Sequence, residues 1–231
     1  MESAPDGGGR DPITAAYWNG RFAVECHPRS DPEEARARGR AIFGRQVPDA
    51  AWGLLVGAPD DATVAVNAEP GSRPVLRVTV SHAWYDGPAI RYLARDDASR
   101  VGIVNAEFHL RPEWQRRGIG TRVLAHQVRA GHQVGVAYLV TAAAGGPGGS
   151  MNGYYTWALL GFDQRLPDDL VPRLPARLSD ARFVLDLMED AEGREWWRRN
   201  GRAYEGTFSL ADGSRSLRVL RAYTVRQGIT I

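Results

Sequence analysis

Lysine is absent from the sequence, and all 29 basic residues are arginines. They are opposed by 27 acidic residues, which leaves a formal net charge of only +2. So small an excess does not provide the bulk electrostatic attraction that nucleic-acid-binding proteins show. We therefore expect no nucleic-acid partner. A GC-rich genome, which favours arginine codons, explains the missing lysines most simply.

Cysteine is nearly absent as well. The single Cys26 cannot form an internal disulfide, excludes a cysteine-based zinc cluster and is expected to pack on a strand. The five histidines show no metal-ligand spacing, so no metal site is predicted. No apolar run is long enough to cross a bilayer, and the N-terminus has no hydrophobic signal segment. These absences predict a cytoplasmic protein without membrane contact.

The remaining composition is that of a globular protein, with 43% hydrophobic and 24% charged residues in a chain of 231. This length suits one domain with an extension. Residues 1–12 are rich in Gly, Pro and Asp, which predicts disorder. We expect residues 13–165 to form the domain and residues 166–231 to form a C-terminal extension, starting with a proline-rich connector.

Turn signals and hydrophobic patterns divide the chain into alternating strands and helices. Strands are predicted at 21–26, 63–67, 75–84, 89–94, 101–110, 134–140 and 204–210. Helices are predicted at 31–44, 120–130, 151–160, 186–200 and 216–226. The connections between residues 63 and 110 are short and therefore imply antiparallel hairpins. The fold class is α/β (α+β), with a mixed, mostly antiparallel sheet.

One stretch, residues 103–124, organises the chain. It reads as a strand followed by the glycine-rich turn Gln115-Arg116-Arg117-Gly118-Ile119-Gly120, which opens a helix. Backbone N–H groups at a helix N-terminus lack partners and favour an anion, and the two arginines add positive charge. The spacing matches neither the dinucleotide nor the nucleoside-triphosphate fingerprint. It predicts a site for a phosphate or pyrophosphate.

This turn fits the pattern Q/R-x-x-G-x-G/A, and it follows Phe108-His109-Leu110-x-Pro112-Glu113. A later helix ends in Leu160-Gly161-Phe162. In these motifs the chain resembles the GNAT superfamily of N-acetyltransferases, over about residues 75–165. The resemblance implies a sheet flanked by helices and splayed between its fourth and fifth strands, here 101–110 and 134–140. It also implies a loop that holds the pyrophosphate of acetyl-CoA.

The resemblance assigns residues to acetyl-CoA. The N–H of Phe108 would face the thioester carbonyl, Leu110 would pair with pantetheine, and the turn would hold the pyrophosphate. The family's asparagine falls at Ser150, with Asn152 two positions away. The expected cofactor-binding residues are Phe108, Leu110, Gln115, Arg116, Arg117, Gly118, Ile119, Gly120, Thr121 and Asn152.

Transfer to an amine requires a general base, because an amine with a pKa near 10.4 is mostly protonated at neutral pH, at a cost of roughly 4–5 kcal/mol. Glu107 is the first candidate and His109 the second, since both should share one face of the strand. Histone-type family members place their glutamate where this chain has Val104. Asn105 could hold a water instead.

The departing thiolate requires a proton donor. Many family members use a tyrosine four residues before the Gly of the Gly-Phe ending, which is Trp157 here. Tyr155, or Tyr154, is the substitute one turn earlier. The leading hypothesis is an N-acetyltransferase that acts on an amine of a small molecule or peptide by direct attack through a tetrahedral intermediate.

Other functions remain open from the sequence. One is an acyl-CoA-binding module that has lost catalysis, and another is an arginine-rich nucleic-acid binder. The extension could pack on the core, cover the acceptor or form a homodimer.

Overall fold

A computed structural model describes residues 11–25 and 31–230. Its architecture is α+β, with one mixed seven-stranded sheet flanked by helices. The strands are β1 (Ala23–Glu25), β2 (Thr63–Ala68), β3 (Val75–Ser81), β4 (Ala89–Arg95), β5 (Val101–Glu107), β6 (Val136–Ala143) and β7 (Tyr204–Ser209). The α-helices are α1 (Pro12–Tyr17), α2 (Pro32–Phe43), α3 (Asp49–Leu55), α4 (Ile119–Val134), α5 (Gly153–Leu159), α6 (Val184–Met188), α7 (Ala191–Asn200) and α8 (Arg215–Arg226).

The strands lie in the sheet in the same order as in the chain. Strands β2 to β5 form an antiparallel meander, as the short connections predict. Strand β1 is parallel to β2, β6 is parallel to β5, and β7 is antiparallel to β6. Two parallel strands cannot be joined by a tight turn, and helix α4 provides the crossover from β5 to β6. This crossover brings the start of α4 to the C-terminal end of β5.

The core covers one face of the sheet. A cross-strand row of apolar residues, all with 0% exposure, runs through five neighbouring strands and consists of Leu76, Leu93, Ile103, Leu139 and Phe208. Helix α2 packs against β2 to β4, and α4 packs against α3 and β6. The adjacent row points to the other face because strand side chains alternate. There Val104 is 42% exposed.

The C-terminal segment is joined to the sheet through a second apolar cluster. Trp197 is buried in this cluster and donates its indole N–H to the carbonyl of Tyr154 at 3.1 Å. Tyr204, on β7, donates its hydroxyl hydrogen to the carbonyl of Phe162 at 3.0 Å. Strand β7 itself belongs to the central sheet. Residues 166–230 therefore share packing and backbone pairing with the rest of the described chain.

Several element boundaries differ from the sequence prediction. The predicted helix 186–200 is two helices, because Asp190 caps α7 by accepting from the N–H of Gly193 at 2.9 Å. Helix α4 continues past Gly131, and its left-handed cap is Gly135. Strand β6 is accordingly shifted two to three residues along the chain from the predicted 134–140. Helices α1 and α3 lie where no helix was predicted.

Some predictions fall on residues that the structure does not describe. They include the packed strand position of Cys26 and the disorder of residues 1–10. Of the predicted disordered segment, Asp11 and Pro12 are described, and they form the cap and first residue of α1. No helix in the described part of the chain is long and apolar enough to span a membrane.

Candidate functional site at the end of strand β5

The loop between β5 and α4 presents a row of unpaired backbone donors. None of the six N–H groups of residues 116–121 donates to any residue that the structure describes. The cap residue Gly118 is left-handed at φ 70° and supplies no side chain to the helix terminus. Arg116 is left-handed as well, at φ 58°, a conformation that costs a non-glycine residue about 1 kcal/mol. Successive N–H groups in such a turn form an anion-binding concavity.

The electrostatics of this loop favour an anion. Helix α4 has no acidic residue in its first turn, so no side chain of that turn offsets the positive end of its dipole. Arg116 and Arg117 are exposed. The guanidinium of Arg117 lies 4.9 Å from the centre of the Trp114 ring, a cation–π contact that holds it near the loop.

A buried ion pair between Arg122 and Asp11 holds the loop in place. Arg122 donates to the carbonyl of Arg117 at 3.2 Å and to the hydroxyl of Thr14 at 3.0 Å, and it pairs with the carboxylate of Asp11. Asp11 also accepts from the N–H of Thr230 at 3.2 Å. Burial acts to raise the pKa of Asp11, but the hydrogen bonds from Arg122 and Thr14 outweigh it and lower that pKa to about 2. Residues near both ends of the described chain therefore fix the loop.

Strands β5 and β6 pair only up to Asn105 and Thr141. Beyond this point β6 pairs with β7, and the chain after β5 pairs with the segment that precedes β4, where Tyr85 faces Leu110. The N–H of Arg111 donates to Trp84, so the N–H of Leu110 points the opposite way, towards the β6 side. The pairing between β5 and β6 therefore ends two residues before either strand ends, and we call this unpaired end of the strand pair the opening.

Several predicted cofactor-binding residues are brought together at this opening. The side chain of Gln115 donates to the carbonyl of Leu110 at 2.9 Å. The edge of the Phe108 ring lies 3.4 Å from the position that a Cβ of residue 120 would take, so Gly120 and the ring are neighbours. No residue in the described part of the chain accepts from the N–H of Phe108 or Leu110.

The two candidate bases lie on the other side of the strand. Glu107 and His109 are exposed, whereas Phe108 and Leu110 are half-buried and pack against the core. This alternation agrees with the expectation that Glu107 and His109 share one face. No ion pair or hydrogen bond within the described residues engages either side chain. Both are free to meet a ligand on the exposed face of the sheet.

Asn105 faces the helices. Its side-chain amide exchanges two hydrogen bonds of 3.1 Å with Gln127 of α4, and it is 4% exposed. The hydroxyl of Thr141 donates to its carbonyl at 3.3 Å. The possibility that Asn105 holds a water for the exposed face is therefore not supported by its geometry.

Asn152 and Tyr155 lie at the start of α5, where the N–H of Tyr154 donates to the carbonyl of Ala144 at 2.9 Å, just after β6. The loop before α5 is closed by a bridge between Gly145 and Asn152, whose side chain is exposed. Burial raises the pKa of Tyr155, an effect opposed by the nearby charges of Arg198 and Arg194 on α7. In the described chain no hydrogen bond, ion pair or ring contact joins Tyr155 to the end of β5. The described residues therefore show no direct contact between Tyr155 and the candidate bases.

Arg91, which no sequence motif pointed to, is only 1% exposed. It lies on β4 opposite Asn105 and donates to the carbonyl of Glu107 at 2.7 Å. Its sequence signal was an arginine in the middle of the apolar strand Ala89–Arg95.

Two surface pockets lie away from the opening. One is lined by α2 and the turn between β4 and β5, where the charged groups pair with each other, as in Arg73–Asp97 at 3.1 Å. The other lies between β1, α2 and α3. Neither pocket lies beside the end of the pairing between β5 and β6. No group of three His, Cys, Asp or Glu side chains in the described ranges is placed to bind a metal ion.

Comparison with known proteins adds no assignment, because no protein-family model matches the chain and no curated protein is similar to it.

Proposed function

We propose that the protein is an N-acetyltransferase that transfers an acetyl group from acetyl-CoA to an amine of a small molecule or peptide. The observation behind the proposal is that two structural features lie next to each other. A helix N-terminus without a side-chain cap, together with its preceding turn, has six N–H groups from which no described residue accepts a hydrogen bond, and it lies beside the opening between the parallel strands β5 and β6. Ligands of open sheets bind outside the carboxyl ends of strands, where such an opening occurs.

The two features suit two parts of one ligand. The pyrophosphate of acetyl-CoA is an anion that matches the N–H groups of residues 116–121 and the charges of Arg116 and Arg117. The pantetheine arm is narrow and carries amide carbonyls. These can accept from strand N–H groups such as that of Leu110, which no described residue uses. A free phosphate would need only the first feature, so the combination favours an acyl-CoA.

The N–H of Phe108 lies two residues before Leu110, on the side of the pantetheine contact that is farther from the pyrophosphate loop. Directed at the thioester oxygen, it would stabilise the negative charge that develops there during attack, by about 3 kcal/mol. The amine nitrogen would form the new C–N bond, the C–S bond would break, and the departing sulfur would take a proton. Glu107, or His109, is the group on the exposed face that can accept the amine proton.

A second candidate is an acyl-CoA-binding module without catalysis. The observation in its favour is the position of Tyr155, whose electrostatic partners are on α7 and α8. Trp157 packs its ring against Phe162 at 5.0 Å between centres, and an indole cannot supply the proton to a thiolate. In the enzyme proposal, the proton for the leaving sulfur comes from Tyr155 or from water.

Titration calorimetry with acetyl-CoA tests the binding half. We expect Arg116→Gln/Arg117→Gln to weaken binding at least tenfold. The matched control is Arg73→Gln, which removes an exposed arginine from the pocket at the other end of the sheet. Equal binding by the loop variant and the wild type would refute the site.

Mass-spectrometric detection of free coenzyme A and acetylated product over an amine panel tests the catalytic half. Glu107→Gln should lower kcat by about 10²- to 10⁴-fold, the range for general-base catalysis. Glu25→Gln, an exposed strand glutamate at the opposite edge of the sheet, should not. Binding without turnover over the whole panel would select the binding module.

A further inference from the structure

Arg91 is a buried cation without an acidic partner. Its side chain lies on the core face of β4, opposite Val78 and Asn105. Within the described residues no carboxylate lies at ion-pair distance, and its Nε has no hydrogen-bond partner. Burial lowers its pKa to about 10, so the guanidinium remains charged at neutral pH. A buried unpaired charge is costly, and an apolar side chain would fill this position with less penalty.

The contacts of Arg91 converge on one peptide bond. Its Nη1 donates to the carbonyl of Glu107 at 2.7 Å and to that of Ile90 at 3.0 Å. Its guanidinium carbon lies 5.4 Å from the centre of the Phe108 ring. The cation therefore touches both residues of the Glu107–Phe108 peptide.

The direction of this peptide follows from its covalent geometry. In a trans peptide the C=O and N–H point to opposite sides. Because the Glu107 carbonyl points to Arg91 on β4, the N–H of Phe108 points towards β6, into the opening of the sheet. A β-bulge lies at this point, since Ile90 pairs with Glu107 while Arg91 pairs with Asn105. Bulges re-aim backbone groups and are common beside active sites.

We propose that Arg91 is a positioning residue that orients and polarises the Glu107–Phe108 peptide, making the Phe108 N–H a stronger donor to an oxyanion. This rests on the proposed function, in which that N–H faces the thioester oxygen. A charge-assisted hydrogen bond withdraws electron density from the carbonyl oxygen, and hydrogen bonds in a chain strengthen one another by roughly 10–30% each. The buried site has a low effective dielectric, which increases the effect.

The first test needs no activity. The amide proton of Phe108 is observed by NMR in the wild type and in Arg91→Met, without ligand. We expect an upfield shift and slower base-catalysed exchange of this proton in the variant. The amide of Leu110 on the same side serves as the internal control and should stay unchanged. An unaltered Phe108 resonance overturns the proposal, whether or not the protein is an acetyltransferase.

The second test separates positioning from packing. Arg91→Met should lower kcat about 10- to 100-fold, while its affinity for acetyl-CoA stays within about twofold of the wild type. Arg91→Lys keeps the positive charge and should therefore retain a higher kcat than Arg91→Met. A parallel loss of affinity and kcat would indicate a merely structural role.

If Arg91→Met does not fold, Arg91→Gln takes its place in both tests, and wild-type kcat in Arg91→Gln overturns the proposal. Failure of the wild-type protein to bind acetyl-CoA refutes the proposed function instead. The NMR comparison then still tests whether Arg91 polarises the Glu107–Phe108 peptide.

Discussion

Replacing Asp11 by asparagine should destabilise the protein and do so in a pH-dependent way. A pKa of about 2 in the folded protein, against an ordinary 3.8, corresponds to about 2 kcal/mol of stability at neutral pH. The substitution also leaves Arg122 as a buried cation without its partner, for which losses of about 3–5 kcal/mol are typical. Because asparagine still caps α1 well, we expect a net loss of about 2–4 kcal/mol.

The sign of the pH dependence follows from the lowered pKa. A carboxylate whose folded pKa is depressed stabilises the protein above its unfolded pKa, and this contribution fades as the pH falls from 3.8 through about 2. Urea unfolding of wild type and Asp11→Asn at pH 7 and at several values down to pH 2 measures it. The difference in unfolding free energy should be constant above about pH 5 and shrink towards pH 2. Other carboxylates titrate in both proteins and cancel in the difference.

The matched control is Asp31→Asn. Asp31 caps α2 by accepting from Glu33 at 2.8 Å and is exposed, with no buried arginine behind it. Asparagine is an equally good cap, so this variant should lose less than about 0.5 kcal/mol at any of these pH values. A difference of the same size in both variants, or an Asp11→Asn effect that does not change with pH, would refute the account of the ion pair.

Two further changes probe the packing around the site. Gly57→Ala should lower the free energy of unfolding in urea by about 2–4 kcal/mol, because φ is +66° and the new Cβ would lie 2.1 Å from the Val123 carbonyl oxygen. The control Gly87→Ala, at φ +79° with nothing within 4 Å of the new Cβ, should lower it by only about 1 kcal/mol. Asn105→Leu should cost about 2–3 kcal/mol by leaving the Gln127 amide buried and unpaired, and Asn105→Leu/Gln127→Leu should cost less than the sum of the single changes. Equal losses in the two glycine variants, or strict additivity of the leucine variants, would contradict these contacts.

The central sheet was predictable from short, contiguous stretches of the sequence. Turn residues and alternation located β2 to β5 to within three residues at each end, and the short connections required antiparallel pairing. The turn at Gly118 was visible because its glycines, arginines and the following apolar stripe are contiguous in sequence. Contiguous features of this kind are available from one chain without any knowledge of its partners.

Features that depend on distant residues could not be predicted. The partner of Arg122 is Asp11, more than a hundred residues away, in a segment whose composition indicates disorder. Arg91 is buried by tertiary packing, which overrides the exposed position that its charge suggests. Gly131 resembles a helix end, but α4 continues through it because the helix is held by packing against β6 and α3.

The opening between β5 and β6 leaves a short stretch of bare strand edge inside the sheet. Exposed edges recruit other strands and promote aggregation. Here the carbonyl of Leu110 is already covered by the amide of Gln115, and the bulge before Glu107 interrupts the regular spacing. An incoming β-strand therefore finds no regular ladder to extend, whereas a slender ligand needs only one or two carbonyl groups to pair with the free N–H groups. The bulge and the Gln115 contact therefore disfavour pairing with another protein strand and still leave the N–H groups of this edge available.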